Sequence, residues 1–98
     1  MRKNHLKFSE LRALPIHRVG VALGAQFRKV GPGAWAMVDP EKPKTITSLV
    51  LLERSNRWKR YSGVTIGGVS EGSVIDLVCH LRDCSFEEAV GWLSSVYL

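Results

Sequence analysis

From Arg54 to Tyr61 the chain interleaves Arg54, Arg57, Lys59 and Arg60 with Trp58 and Tyr61. Guanidinium and ammonium groups neutralise phosphates and flat rings stack on unpaired bases, so the pattern suits sequence-tolerant binding of a single nucleic-acid strand. In an extended segment, period two sets Trp58 and Arg60 on one face and Lys59 and Tyr61 on the other. One ring is then core and the other exposed, and the sequence leaves open which. Each base stacked on an exposed ring is worth on the order of 1–3 kcal/mol, so one ring with four cations implies weak binding. Arg28, Lys29 and Lys44 are expected to extend the same surface. The competing reading is a core Trp beside solvated arginines.

Other chemistry finds little support. There is no Gly-x-Ser-x-Gly elbow and no Gly-x-x-x-x-Gly-Lys phosphate loop. Paired acids placed to hold a magnesium ion are also lacking. Gly63-Val64-Thr65-Ile66-Gly67-Gly68 has the glycines of a phosphate loop without the lysine, and a surface turn accounts for it. No enzyme activity and no cofactor are expected. Cys79, His80 and Cys84 are close in sequence, but neighbours on a helix point in different directions. Only Cys79 falls on the core face shared with Ile75 and Val78, which makes it a buried structural thiol rather than a metal ligand. His5 and His17 lie far away in sequence, and no metal site is expected.

These side chains need a frame, and the order of patterns supplies one. Ser9 is a fitting cap for a short turn through Leu14. Pro15 suits a first helical position, and Ile16, Val19, Leu23 and Phe27 recur at helical spacing over about three turns. Gly20 and Gly24 weaken that helix by roughly 1 kcal/mol each unless they admit a close neighbour. Gly31-Pro32-Gly33 marks a turn between Phe27–Val30 and Ala34–Val38, a first hairpin. Asp39 to Lys44 carries two prolines and four charges, and reads as an exposed loop. Ile46 to Glu53 and Trp58 to Tyr61 flank the polar turn Arg54-Ser55-Asn56-Arg57 and form a second hairpin. Ser73 caps a helix bearing Val74, Leu77, Val78 and Leu81. Ser85 with Glu88 makes a capping box for a last helix with Phe86, Ala89, Val90, Trp92, Leu93 and Tyr97 on its apolar side. The expected fold class is α+β: a small antiparallel sheet of short hairpins, an N-terminal helix and two C-terminal helices.

Ninety-eight residues, 45% of them hydrophobic, make one small domain with little surplus stability. Residues 1–8 read as a basic flexible tail and residues 9–98 as the domain. The longest apolar runs, such as Leu49-Val50-Leu51-Leu52, fall far short of the roughly 20 residues that cross a bilayer. With two cysteines and no signal peptide, a reduced, soluble, cytoplasmic protein with no membrane partner is expected. The net charge of +5 hides an asymmetry: Met1 to Ser62 holds thirteen Lys and Arg against four acids, or +9, while Gly63 to Leu98 holds one Arg against five acids, or −4. A polyanion would meet the N-terminal and central segments, with the acidic C-terminal helices turned away.

Gly72-Ser73-Val74-Ile75-Asp76-Leu77-Val78 and Cys84-Ser85-Phe86-Glu87-Glu88-Ala89-Val90-Gly91-Trp92-Leu93, following the Trp58–Gly63 return strand, resemble the helical tail of the zinc-ribbon domain at the N-terminus of bacterial DNA primases. The resemblance spans about seventy residues, from Ile16 to Leu93. It implies a nucleic-acid-binding module, with Phe27–Val38, Ser48–Leu51 and Trp58–Ser62 as its strands. Where the family has Cys and His this chain has the neighbourhood of Val38 and Glu41, and where the family has Cys-x-x-Cys it has Arg60-Tyr61-Ser62-Gly63. Four converging Cys or His side chains are needed for structural zinc, so the chain is similar to the degenerate, metal-free versions found in plasmid and transposon replication and mobilisation proteins. Stability then has to come from packing, with Leu49, Leu51, Trp35, Val74, Leu77, Trp92 and Leu93 as expected contributors. The primer-synthesising activity of that family resides in another domain.

The resemblance thus implies single-stranded DNA binding in replication or transfer of a plasmid, phage or transposable element. Two other readings stand beside it. An adaptor would dock a helicase, primase or relaxase through the acidic C-terminal helices, and an exposed Trp92 would favour it. A winged helix with Ser9–Gln26 as its helices would prefer duplex DNA.

Overall fold

The structure, a computed structural model, describes residues 8–97. Most of the expected basic tail lies outside them. Two short helices, α1 (Phe8–Arg12) and α2 (Ile16–Ala22), precede five strands, β1 (Phe27–Gly31), β2 (Ala34–Val38), β3 (Ile46–Leu52), β4 (Arg57–Arg60) and β5 (Glu71–Gly72), and helices α3 (Val74–Arg82) and α4 (Phe86–Tyr97) follow. The strands form one antiparallel sheet in the order β1-β2-β3-β4-β5. Every connection joins neighbours, so the expected α+β class and both hairpins are present.

The N-terminal helix is shorter than its apolar spacing predicts. The stripe Ile16, Val19, Leu23, Phe27 is not one helical face, because α2 stops at Ala22 and Phe27 opens β1. Gly24, at φ +92°, takes the left-handed position that ends the helix. Its N–H bonds the Val21 carbonyl at 2.9 Å and the Ala25 N–H bonds the Gly20 carbonyl at 3.3 Å, the pairing of a Schellman cap. The chain then reverses, and Phe27 lays its ring on Gly20, where a Cβ would stand 2.7 Å from two ring carbons. Gly20 therefore admits a close neighbour, as its place in the sequence allows. Phe8, expected in the tail, begins α1 and meets Phe86 edge to face at 5.6 Å.

Cross-strand partners share a face of an antiparallel sheet. Pairing of Phe27 with Met37, Lys29 with Trp35, Trp35 with Leu51, Leu51 with Trp58 and Leu49 with Arg60 puts all of these on the side that α3 and the other helices cover. Helix α3 touches α1, α2, α4, β4 and β5, and it buries Val74, Ile75, Leu77, Val78, Cys79 and His80. It is thus the central element. A one-sided stripe would bury only Cys79 of the neighbouring pair, but α3 is enclosed on two sides, and His80, expected to point elsewhere, is 2% exposed against the sheet.

Of the contributors expected from sequence, Leu49, Leu51, Val74, Leu77 and Leu93 are fully enclosed, while Trp35 and Trp92 lie at the margin of the core. The largest buried side chain is Trp58. Full burial of an aliphatic side chain is worth about 1.5–3 kcal/mol, so this cluster is the main source of cohesion among the described residues.

Candidate nucleic-acid interface

Among the described residues, no helix lies on the other face of the sheet. Pairing of Arg28 with Ala36, Ala36 with Val50 and Val50 with Lys59 makes one row across it, and Ala34, Leu52 and Arg57 make the next. Ser48, whose carbonyl accepts the Tyr61 N–H at 2.9 Å, starts a third row. The face has a floor of short aliphatic side chains, Ala36, Val50 and Leu52, with Arg28 on one side and Arg57, Lys59 and Tyr61 on the other. Adjacent strands are about 4.8 Å apart, so Arg28 on β1 and Lys59 on β4 stand roughly 14 Å apart at the backbone. Ala36 is 1% exposed in the middle of the floor.

Tyr61 is 60% exposed, and the Lys59 ammonium lies 5.3 Å from the centre of its ring. A ring with a cation above it keeps its orientation and leaves its second side for a base. The Arg28 guanidinium donates to the Pro43 carbonyl at 3.4 Å, which tethers the long loop to β1. The Ser48 and Ser62 hydroxyls are 2.9 Å apart and close the end of the sheet beside Tyr61.

The structure brings only part of the expected set together. Arg28, Arg57, Lys59 and Tyr61 share the open face. Trp58 does not, since it is 1% exposed and its Nε1–H donates to the Ser73 carbonyl at 3.0 Å. It is the core ring, and Tyr61 the exposed one. Lys29 is exposed but on the opposite side of β1, its ammonium 5.8 Å from the centre of the Trp35 ring. Lys44, in the β2–β3 loop, and Arg54, in the β3–β4 turn, are exposed at opposite ends of β3, about 20 Å apart for a seven-residue strand. They frame the face rather than belong to it.

Arg60 is half-buried on the covered side. Its Nε–H points at His80 Nε2 at 3.2 Å, while His80 Nδ1 lies 2.9 Å from the Val69 carbonyl. A carbonyl only accepts, so Nδ1 carries the proton and Nε2 is the acceptor, which makes His80 neutral in this arrangement. Burial lowers the His80 pKa below its ordinary value, and the charge of Arg60 lowers it further, against the contrary effect of the Val69 carbonyl. Burial also lowers the pKa of Arg60. The Trp58 ring is 4.7 Å from the imidazole, centre to centre. Sequence reasoning missed this pairing because residues 60 and 80 are joined by tertiary packing alone.

A second residue missed as a site-former is Asn56. Its side-chain oxygen accepts the Ile16 N–H at 2.9 Å, and its amide donates to the carbonyls of Arg12 and Leu14, each at 2.9 Å. At φ 54° it occupies a left-handed turn position that Asn tolerates. One side chain thus fixes the β3–β4 turn to the α1–α2 connection.

The positions that the primase resemblance would set against zinc ligands do not fit that metal. Asp39 Oδ1 accepts the Glu41 N–H at 2.9 Å, and the Asp39 N–H bonds the Thr45 carbonyl at 3.0 Å, so the β2–β3 loop is closed by its own hydrogen bonds. Arg60, which the resemblance would set against a thiolate ligand, carries a cation instead. Among the described residues no three His, Cys, Asp or Glu side chains converge on a common point. Burial raises the Cys79 thiol to about 11, with Cys84 and Asp76 adding to the effect, which favours the protonated form over the thiolate a metal would need.

No protein-family model, curated protein or solved structure matches the chain.

Proposed function

We propose that this domain binds single-stranded DNA across the open face of its sheet, in the replication or transfer of a mobile element. The observation that carries the reading is the open face itself. Arg28, Arg57 and Lys59 surround a shallow floor of Ala36, Val50 and Leu52, and the most exposed large side chain beside it is Tyr61. Partly exposed Val50 and Leu52 with an exposed ring beside them accept unstacked bases, and flanking cations accept the backbone, while Ala36 is too buried to make a contact of its own. The charge asymmetry supports the same orientation for four of the five C-terminal acids, since Asp76, Asp83, Glu87 and Glu88 lie on α3, α4 and their connection, behind the sheet, whereas Glu71 on β5 stands across from Lys59 at the β5 edge of the open face.

A place in replication or transfer is supported by the resemblance of Gly72–Val78 and Ser85–Leu93 to the primase helical tail. Val74–Val78 and Phe86–Leu93 of these segments are helical and lie behind the sheet. The duplex reading has less support. Helix α2 is two turns long, with Ile16 and Val19 buried, and it is followed by a five-stranded meander rather than a wing.

Fluorescence anisotropy with labelled single- and double-stranded DNA over a salt series tests the proposal, on the wild type and on Arg57→Ala and Lys59→Ala. Single-strand binding is expected to weaken with salt and to exceed duplex binding, and each variant is expected to flatten the logarithmic salt slope by about 0.7. Binding to neither form would turn the interpretation to an adaptor docking a protein partner through α3 and α4.

A further inference from the structure

A guanidinium half-buried in a protein ordinarily meets a carboxylate, which cancels its charge as it fixes its direction. Arg60 meets an imidazole instead. With Nδ1–H committed to the Val69 carbonyl, His80 Nε2 offers one lone pair and no charge. Nε–H is thereby held while the full positive charge is kept. Neither Nη group of Arg60 has a hydrogen-bond or ion-pair partner among the described residues.

The acids of α3 and its C-terminal end are engaged by backbone N–H groups, and neither bonds Arg60. Asp76 Oδ2 accepts from the Ser73 N–H at 2.8 Å and Asp83 Oδ1 from the Gly67 N–H at 3.2 Å. The remaining neighbours bind backbone to backbone, with the Arg60 N–H on the Ser70 carbonyl and the Gly63 N–H on the Arg60 carbonyl. A partly desolvated cation that is oriented but not neutralised is completed by an anion from outside.

We propose that Arg60, aimed by His80, is a dedicated seat for a phosphate group of the bound strand, distinct from the cations of the open face. The inference rests on the single-strand reading above. Arg60 follows Lys59 and precedes Tyr61 but lies on the opposite side of β4, so a strand crossing the open face meets the seat by turning round the Tyr61–Gly63 end of the sheet. The two Nη groups grip paired phosphate oxygens in the fork geometry that lysine cannot reproduce. His80 touches no ligand and is a positioning residue. The phosphate is either an internal phosphodiester or a 5′-terminal monoester.

The test uses oligo-dT of about 15 nucleotides, with and without a 5′-phosphate, titrated across salt against the wild type, Arg60→Gln, His80→Leu and His80→Gln. Arg60→Gln is expected to flatten the salt slope by about 0.7. His80→Leu, which keeps the net charge at neutral pH, is expected to do the same, and His80→Gln, which keeps an acceptor, to restore part of the slope. A loss shared by both oligonucleotides identifies an internal phosphate, and a loss confined to the phosphorylated one a terminal phosphate. A slope unchanged by Arg60→Gln, or a His80→Leu protein that binds as wild type, overturns the seat while leaving the open face standing. Wild type that binds neither oligonucleotide ends both. Should His80→Leu fail to fold, the Nε–H resonance of Arg60 in wild-type protein decides. It is expected to shift on adding oligo-dT while that of Arg82 does not, and no shift at saturation overturns the proposal.

Discussion

Tyr61 and Trp58 are three residues apart, Trp58 within β4 and Tyr61 just after its end, yet of the two only Tyr61 is open to solvent. If bases stack on it, Tyr61→Ala is expected to weaken single-strand binding by about 1–3 kcal/mol without changing the salt slope, because no phosphate contact is lost. Anisotropy titrations at two salt concentrations check both halves of this statement. His80 gives a second residue-level expectation. Its folded pKa lies below the unfolded value near 6.5, so between those two values the unfolded chain binds the extra proton. Stability is then complete above about pH 6.5 and falls as the pH drops toward the folded pKa. Urea midpoints are expected to decline from about pH 7 to about pH 5.5 in the wild type, and His80→Gln is expected to flatten that decline.

At the level of elements, the joints hold the interface in place. The β3–β4 turn carries Arg54 and leads into Arg57, and it is pinned to the α1–α2 connection by the three hydrogen bonds of Asn56. Asn56→Ala removes all three and puts a Cβ residue without that side chain in the left-handed region, so a loss of about 2–4 kcal/mol is expected in chemical denaturation. Asn56→Gly relieves the backbone alone and is expected to lose less. Helix α4 starts with a reciprocal cap: the Ser85 N–H donates to Glu88 at 3.0 Å and the Glu88 N–H to Ser85 Oγ at 3.1 Å. The Ser85 N–H first, and the Ser85 hydroxyl second, keep the Glu88 carboxyl below its usual range. Ser85→Ala is expected to cost about 1 kcal/mol, read from the same denaturation curves, and to leave the proposed DNA binding unchanged because α4 lies behind the sheet.

Over the whole molecule, the two faces of the sheet divide the work. One face joins α3 through Leu49, Leu51 and Trp58, and the other carries Arg28, Arg57, Lys59 and Tyr61. The division follows from the two-residue period of the strands, since each residue sent inward leaves its neighbour outward. Cohesion and the proposed binding are therefore separable. Substitutions of Arg57 and Lys59 are expected to change affinity with little change in the denaturation midpoint, whereas Trp58→Ala is expected to lose about 3–5 kcal/mol of stability. A combined denaturation and binding survey of these three variants distinguishes the two roles.

Local chemistry made much of this legible. The Gly31-Pro32-Gly33 turn, the polar turn at Arg54–Arg57, the Ser85–Glu88 cap and the opposite facing of Lys59 and Arg60 each depend on residues adjacent or a few positions apart, and each is present in the fold. The end of α2 was misjudged because Phe27 satisfies both a helical and a strand spacing, and the Schellman cap at Gly24 selects the strand. Which aromatic ring is buried, why His80 faces the sheet, and which cations share a face depend on where α3 lies across the strands. Sequence by itself determined the elements and the alternation within them. Only tertiary packing decided which side of the sheet became interior, because that choice rests on contacts between residues twenty to forty positions apart, such as Arg60 with His80 and Ile16 with Asn56.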